Sequence, residues 1–278
     1  MSYKTILVNC DAGKKLAQRL DVATDVAQRF GSHLVGIHAR PPFQSPMFFE
    51  GGMPMDTLFQ AYEESANNDQ KAAAAVFEKS LKGKHLSSEW RVANGFIDSE
   101  LAVQARYADL LVVGQTDPDD STPTPGDLPE AIALSTGRPI LVVPHIGAKK
   151  PIGKNVLLCW NASRESARAA TDALPILQKA AKVMVLVIDP HTSPEGHGAE
   201  PGADVATWLA RHGVKVTVQR DVAADADVGN VILSRAADHD IDLIVMGLYG
   251  HSRMRELVLG GASRTVIASM TVPVLMSH

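Results

Sequence analysis

The chain has 278 residues, a length that fits two ordinary domains, and its 45% hydrophobic and 21% charged residues are typical of a folded globular protein. Lys and Arg number 27 and Asp and Glu number 31, so the formal net charge of −4 argues against a nucleic-acid-binding protein. We find no signal-peptide pattern and no apolar stretch long enough to span a membrane, so we expect a cytoplasmic protein that binds no membrane.

Short apolar runs alternate with helical patterns in the first half of the chain. The run KTILVNC at residues 4–10 predicts a strand, and the apolar spacing that follows predicts a helix from Lys14 to Phe30. A further helix is predicted over the Ala-rich residues 67–82, whose apolar stripe we expect in the core. The other strands of this half are predicted in the runs HLVGIHA (33–39), RYADLLVVG (106–114) and GRPILVVP (137–144).

The second half repeats this order of elements. It opens with the apolar run NVLLCW at residues 155–160, and a helical pattern follows from Ser163 to Lys179. The other strands are predicted in the runs VMVLVID (183–189), HDIDLIVMG (239–247) and TVPVLMS (271–277).

Apolar runs rich in Val, Ile and Leu that alternate with helices are typical of βαβ units and of parallel sheets. We therefore predict an α/β fold with two tandem doubly wound domains, each a mostly parallel five-stranded sheet with helices on both faces. Gly, Pro and Lys break the apolar pattern at residues 147–154, so we expect one domain at residues 1–148 and the other at residues 149–278.

The two halves differ in length. Asp11 and Asn161 occupy matching positions 150 residues apart, whereas Gly114 and Gly247 are 133 apart, so the first half has 17 extra residues. We assign this surplus to residues 41–62, a segment rich in Phe, Met, Pro and Gly. Such a segment could cover an apolar face or the interface between the halves, which we favour, or it could close over a ligand.

Ligands of open parallel α/β sheets bind beyond the carboxyl ends of the strands. In the second half, CWNASRES (159–166) follows the first strand and GLYGHSRMRELVLGGAS (247–263) follows the fourth. Glycines allow a ligand to approach the backbone closely, the helical pattern that follows would supply free N–H groups for a phosphate, and His251, Arg253 and Arg255 add possible cations. This pattern alone is compatible with an anion site or with simple turn glycines.

The segment DLIVMGLYGHSRMRELVLGGASRTVI, followed by TVPVLM, resembles the nucleotide-binding signature of the universal stress protein family. Gly247, Gly250 and Gly260 match its spacing of a glycine, two residues, a glycine, nine residues and a glycine. The resemblance covers nearly the whole chain as two tandem family domains of the adenine nucleotide alpha hydrolase-like fold. It implies a pocket for ATP or AMP, in which Mg²⁺ can accompany ATP and no tightly bound metal is required.

The resemblance also implies which residues form the pocket. The residue after the first strand contacts the nucleoside, a residue at the end of the second strand lines the base, and the glycine loop surrounds the phosphates. Asn161 replaces the usual Asp and Gly261 replaces the usual Ser or Thr, a loss for which Ser263 compensates only if it faces the pocket. The implied cofactor-binding residues are Asn161, Ala162, Val187, Met246, Gly247, Leu248, Gly250, His251, Arg253, Gly260, Gly261, Ala262 and Ser263.

The matching loop of the first half is altered. Asp11 keeps the acid, but Asp117 stands where the second glycine is expected, and the segment QTDPDDSTPTPGDLPE (115–130) adds further acids and prolines. Carboxylates repel phosphate and prolines remove N–H donors, so we expect no triphosphate in this half. The loop is then a solvated acidic turn, which we favour, or a cation site.

Other polar residues have two interpretations each. The loop HTSPEGHGAE (191–200) could bind zinc through His and Glu, although we favour a polar surface loop. Trp160 could stack on a base or pack against a helix, and His251 could assist hydrolysis or remain solvated. Cys10 and Cys159 end apolar runs, which predicts reduced, buried thiols.

We expect a cytoplasmic, non-catalytic nucleotide sensor or regulator of the stress response, with at most weak ATP hydrolysis. Two fused copies would form internally the pairing that single-domain relatives make as dimers, and a homodimer of the whole chain and an unidentified protein partner remain open. The alternatives are a slow ATPase, or a partner-binding or chaperone-like protein that uses residues 41–62 without nucleotide. Gly247→Asp and Gly250→Asp are each expected to abolish binding without unfolding.

Overall fold

The computed structural model describes residues 2–44, 54–117, 119, 128–149, 151–190, 197–248 and 261–278 of the chain. In the first half the elements are β1 (Thr5–Asn9), α1 (Leu16–Phe30), β2 (His33–Arg40), α2 (Met55–Leu81), β3 (Ser88–Asn94), α3 (Ile97–Ala105), β4 (Leu110–Gly114), α4 (Leu128–Thr136) and β5 (Ile140–Val143). In the second half they are β6 (Asn155–Cys159), α5 (Arg164–Leu177), β7 (Lys182–Ile188), α6 (Ala203–Arg211), β8 (Val216–Asp221), α7 (Val228–Asp238), β9 (Leu243–Gly247), α8 (Ala262–Ser269) and β10 (Val274–Ser277).

The strands of both halves form one continuous sheet in the order β3-β2-β1-β4-β5-β10-β9-β6-β7-β8. Neighbouring strands within each half are parallel. β5 and β10 are antiparallel, with Leu141 opposite Leu275, and this pair joins the two halves. The structure confirms the predicted fold class of two tandem doubly wound units and adds that their sheets are continuous.

Apolar side chains cover both faces of this sheet. On one face, α1, α2, α5 and α6 pack on the strands through a cluster that includes Leu20, Phe77 and Leu209. On the other face, α3, α4, α7 and α8 pack through a cluster that includes Leu101 and Ile267. Each cluster contains residues of both halves, so the two units share their cores as well as their sheet.

Polar contacts also connect the two halves beside α1 and α5. The Tyr3 hydroxyl donates a hydrogen bond of 2.8 Å to the carbonyl oxygen of Asp172 in α5. The Lys179 ammonium donates a bond of 2.8 Å to the carbonyl oxygen of Arg29 and lies 4.5 Å from the centroid of the Phe30 ring. These contacts hold the end of α1 and the start of the chain against α5 and against Lys179, which follows α5.

The extra length of the first half lies in a helix, which corrects our assignment to an inserted segment at residues 41–62. α2 has 27 residues, whereas the matching α6 has nine. The numbers of residues between the preceding strand and each of these helices, 41–54 and 189–202, are equal. Residues 55–62 are the first two turns of α2, and residues 45–53 lie outside the described residues.

An aspartate at the same place in each half connects the start of the fourth strand to the start of the first. Asp242 accepts hydrogen bonds from the backbone N–H groups of Gly153, Lys154 and Asn155, at distances of 2.6 to 3.1 Å. Asp109 accepts bonds of 2.7 and 3.0 Å from the N–H groups of Lys4 and Thr5. These bonds satisfy strand-end N–H groups that would otherwise lack partners.

The connection between the halves runs from the end of β5 at Val143 to the start of β6 at Asn155. Our division between residues 148 and 149 falls within this segment and remains a prediction. Among the residues that the structure describes, no helix is both long and apolar enough to cross a membrane.

Candidate functional site

A cavity of about 120 Å³ opens at the carboxyl ends of β6, β7 and β9 in the second half. This is where ligands of doubly wound folds bind. Its wall combines apolar side chains with short polar ones. The lining residues are Cys159, Trp160, Asn161, Ser163, Ser166, Leu186, Ile188, Val228, Ile232, Met246, Gly247, Ala262 and Ser263.

The turn after β6 is held by two local hydrogen bonds. The Oδ1 atom of the exposed Asn161 accepts a bond of 3.2 Å from the backbone N–H of Ser163, and Ala162 has a positive φ of 60°. The Ser163 hydroxyl caps α5 by accepting a bond of 3.2 Å from the N–H of Ser166. These bonds fix the rim of the cavity around Asn161.

Gly247 lies where β9 meets the first turn of α5. A Cβ atom at this position would stand 2.6 to 2.8 Å from atoms of Glu165 and Ser166, two of them backbone atoms. The glycine is therefore required for helix packing, besides any approach to a ligand.

The start of α8 forms another wall of the cavity. Ala262 and Ser263 lie in the first turn of this helix, and Ser263 is buried with 5% exposure. The residue before the helix is Gly261, which has no side chain to cap the first N–H groups. Such N–H groups have no partner within the helix and attract anions.

Five of the residues implied by the resemblance line this cavity. They are Asn161, Met246, Gly247, Ala262 and Ser263. Ala162 and Gly261 adjoin lining residues in the chain without lining the cavity themselves. Gly250, His251, Arg253 and Gly260 lie outside the described residues.

Two other implied residues lie away from the cavity, which corrects the sequence-based assignment of their side chains. Val187 is fully buried in the apolar cluster on the opposite face of the sheet. Leu248 is fully buried too, and its N–H donates a bond of 2.9 Å to the carbonyl oxygen of Ser277. Side chains alternate across a strand, so Leu186 and Ile188 face the cavity and Val187 does not.

Sequence reasoning missed four apolar residues of the wall. Leu186 and Ile188 come from β7, and Val228 and Ile232 come from the first turns of α7. Leu186 and Ile188 are two residues apart, so they lie on one face of β7, and Val228 and Ile232 are four apart, so they lie on one face of α7. These periodicities could have identified the pairs once one member was assigned to the pocket.

Trp160 and Cys159 are part of both the wall and the core. The Trp160 ring packs at the edge of an apolar cluster and also lines the cavity, so stacking and packing are compatible. Cys159 also lines the cavity, and burial raises the pKa of its thiol to about 12. Both cysteines are free. Cys10 is buried, as predicted, and burial raises the pKa of its thiol to about 12 as well. Cys159 as a residue is only half-buried, which corrects the prediction for that position, because it ends its strand at the cavity wall.

The matching site of the first half is largely filled by an arginine. Arg19, which is 5% exposed, forms two bonds to the Asp11 carboxylate, of 2.7 and 3.1 Å, and donates another of 2.8 Å to the Asn9 carbonyl oxygen. A Cβ atom on Gly114 would stand 3.2 Å from the Arg19 guanidinium. The remaining cavity measures about 70 Å³, and the second half has Ala169 at the position of this arginine.

Acidic residues of the altered loop are only partly described. Asp117 lies 3.9 Å from the Lys15 ammonium, and residues 118 and 120–127 lie outside the described part. In the loop at residues 191–200, which we considered as a zinc site, His191 and Glu195 lie outside the described residues as well. The described residues contain no group of three His, Cys, Asp or Glu side chains that could hold a metal ion.

Comparison with known proteins identifies the second half. Residues 153–278 match the universal stress protein family. This part of the chain is a universal stress protein domain. It contains the whole lining of the cavity of about 120 Å³. A comparison with curated proteins gives no match.

The fold of the whole chain is similar to that of two solved proteins. A universal stress protein from Archaeoglobus fulgidus DSM 4304 has a TM-score of 0.72 and 16% identity, and the match covers 98% of this chain and 95% of that one. A functionally unknown protein from Pseudomonas aeruginosa PAO1 has a TM-score of 0.61 and 14% identity, with 99% and 92% covered. These likenesses cover both units and show that the whole chain shares the fold of these proteins.

Proposed function

We propose that the universal stress protein domain binds an adenine nucleotide, ATP or AMP, and that the chain acts as a sensor or regulator in the stress response. The observation that carries this proposal is the convergence of an apolar wall and an uncapped helix start in one cavity. An apolar wall can bind a flat heterocycle, and the free N–H groups of a helix start can stabilise a phosphate.

The apolar wall would hold the base. Leu186, Ile188, Val228, Ile232 and Met246 come from three elements that surround the cavity. Their side chains would exclude water from both faces of a purine ring. The Asn161 side chain, at the exposed rim, would contact the ribose.

The phosphates would extend towards α8. The volume of about 120 Å³ is smaller than the roughly 300 to 1,000 Å³ of a typical ligand pocket, so it would accept the base and part of the ribose. The N–H groups of Ala262 and Ser263 are at the end of the cavity where an anion would be favoured. Gly250 and Gly260 would add to this phosphate site, and Mg²⁺ could accompany ATP.

The first half would bind no triphosphate under this proposal. The Arg19 guanidinium takes up space beside Gly114 and already neutralises Asp11. The first unit would then act as a structural partner for the second. A homodimer of the chain, a protein partner and a cytoplasmic location also remain parts of the proposal.

Calorimetry on the full chain with ATP, AMP and cyclic AMP tests the site. Val228 lines the cavity and is 36% exposed, so Val228→Trp should block the opening without disturbing the core. We expect affinity for ATP or AMP to fall by at least about tenfold, which corresponds to about 1.4 kcal/mol.

Val222→Trp is the matched control, because Val222 is 72% exposed and does not line the cavity. It should leave affinity unchanged. Absence of binding to every nucleotide by the unmodified chain would refute the proposal, and continued product release beyond one equivalent would indicate an ATPase instead. Mass spectrometry of the small molecule that copurifies with the chain would identify the ligand directly.

A further inference from the structure

A glutamine of the first half holds the end of a helix of the second half. Gln115 follows β4 directly, is 9% exposed and lines the small cavity of the first half. Its Nε2 atom donates bonds of 2.7 and 3.1 Å to the carbonyl oxygens of Ile267 and Ala268 in α8. Its Oε1 atom accepts a bond of 3.1 Å from the N–H of His145. Both ends of the amide are therefore fixed.

These bonds satisfy the end of α8. The last four carbonyl groups of an α-helix have no partner within the helix, and Ile267 and Ala268 belong to the last four residues of α8. Because α8 has only eight residues, its two ends are about 12 Å apart and move together. The position of the first turn, with Ala262 and Ser263 at the second-half cavity, therefore depends on how the last turn is held.

In the second half, Leu248 stands at the position of Gln115 and makes no matching side-chain bond. Leu248 follows Gly247 as Gln115 follows Gly114, and the backbone N–H groups of both bond to the neighbouring strand, at Ser277 and Val143. The Leu248 side chain is fully buried and has no amide with which to hold a helix end. The first unit thus holds the α8 helix of the second, without a reciprocal bond from Leu248.

We propose that Gln115 is a positioning residue for the nucleotide site of the other half. It sets the first turn of α8 at the place where a phosphate would bind, so binding of phosphate-bearing nucleotides depends on Gln115 and binding of the nucleoside does not. This inference rests on the proposed function. It assigns to the first unit a role in ligand binding, although its own cavity is largely filled by Arg19.

Calorimetry on the full chain with ATP and with adenosine tests this role. In Gln115→Leu, which introduces the residue type of position 248, we expect affinity for ATP to fall about tenfold and affinity for adenosine to change by less than about twofold. The control is Gln178→Leu, which removes a similar bond of 3.1 Å from a glutamine Nε2 to the His212 carbonyl oxygen, away from the cavity. It should change neither affinity.

Equal loss of ATP and adenosine affinity in Gln115→Leu would indicate general loosening and would overturn the inference, as would unchanged ATP affinity. If the unmodified chain binds neither compound, the proposed function itself fails, and the inference fails with it. If Gln115→Leu does not fold, hydrogen exchange on the unmodified chain tests the inference instead. ATP should slow exchange of the His145 amide more than adenosine does, and equal exchange rates would overturn the inference.

Discussion

The backbone nitrogen of Ser166 lies so close to Gly247 that a Cβ atom added to this glycine would stand 2.7 Å from it. Gly247→Ala should therefore lower the free energy of unfolding by about 2 to 3 kcal/mol, because the first turn of α5 would have to shift. The matching Gly114→Ala should cost less, about 1 kcal/mol, because its new Cβ would meet only the Arg19 guanidinium, at 3.2 Å, and no backbone atom. Urea unfolding of both variants measures the difference.

This close contact changes the effect that we expect of Gly247→Asp. We expected Gly247→Asp to abolish binding without unfolding, but a side chain at this position also clashes with α5. We now expect that variant to lose stability as well as binding. Equal stability of Gly247→Ala and Gly114→Ala would show that α5 moves without cost. Gly250→Asp remains a prediction, since Gly250 lies outside the described residues.

The Asp11–Arg19 pair should stabilise the first half strongly. Arg19→Ala, which introduces the residue type found at position 169, should lower the free energy of unfolding by about 3 to 5 kcal/mol. The reason is that it leaves the Asp11 carboxylate, only 14% exposed, without its cation. Thermal and urea unfolding provide the measurement.

Arg164→Ala is the control for this pair. The Arg164 side chain is 96% exposed and lies 3.4 Å from Glu165, so its removal should cost about 0 to 1 kcal/mol. Adding Asp11→Ala to Arg19→Ala should recover part of the lost stability, because no buried charge then remains unpaired. A double variant less stable than Arg19→Ala would contradict this account.

Both thiols should react slowly in the folded protein. Burial raises the pKa of Cys159 and of Cys10 to about 12, so at pH 8 only about one thiol in ten thousand is a thiolate. Iodoacetamide should modify the native chain at least about a thousandfold more slowly than the urea-unfolded chain, in which the thiol pKa is about 8.5.

The rate for the native chain should rise about tenfold per pH unit above pH 8, because the protonated form is favoured until the pH approaches 12. Mass spectrometry of the peptides that contain each cysteine distinguishes the two sites. Rapid modification of Cys159 at pH 8 would mean that its thiol is more solvated than its position in the cavity wall indicates.

The repeated aspartates should differ in their effect on stability. Asp242→Ala removes the acceptor for three backbone N–H groups, whereas Asp109→Ala removes the acceptor for two. We expect losses of about 3 and about 2 kcal/mol in the free energy of unfolding. Urea unfolding checks the order, and Asp109→Ala as the more damaging change would refute it.

Eight of the ten strands of the described sheet were predictable because buried parallel strands need nearly continuous apolar runs. The outer strands β3 and β8 were missed, because each mixes charged and polar residues with apolar ones. The helix bounds were close, since α1 begins two residues after the predicted Lys14 and ends at the predicted Phe30. The start of α2 at Met55 was missed, because Pro, Gly and Phe around it read as a loop and the first turns bury little. Local composition does not reveal that a helix extends beyond the core.

The candidate site was predictable in its location and less so in its walls. Asn161 and Gly247 follow strands whose carboxyl ends meet, so their proximity follows from the topology. The orientations of Val187 and Leu248 depend on which face each strand presents, and one sequence position does not determine that. Likewise, no local pattern shows that Arg19 in α1 bonds back to Asp11, eight residues earlier in the chain.

The antiparallel pairing of β5 with β10 also determines which strands remain open to other molecules. A separate five-stranded unit would expose the unpaired backbone of a mainly apolar strand, ILVV in one half and VLMS in the other, a known hazard for aggregation. In the fused chain these two strands cover each other. The outer strands β3 and β8 carry charged residues instead, among them Glu89 and Arg91, 2.7 Å apart, and Arg220, so the sheet resists adding strands from a second molecule.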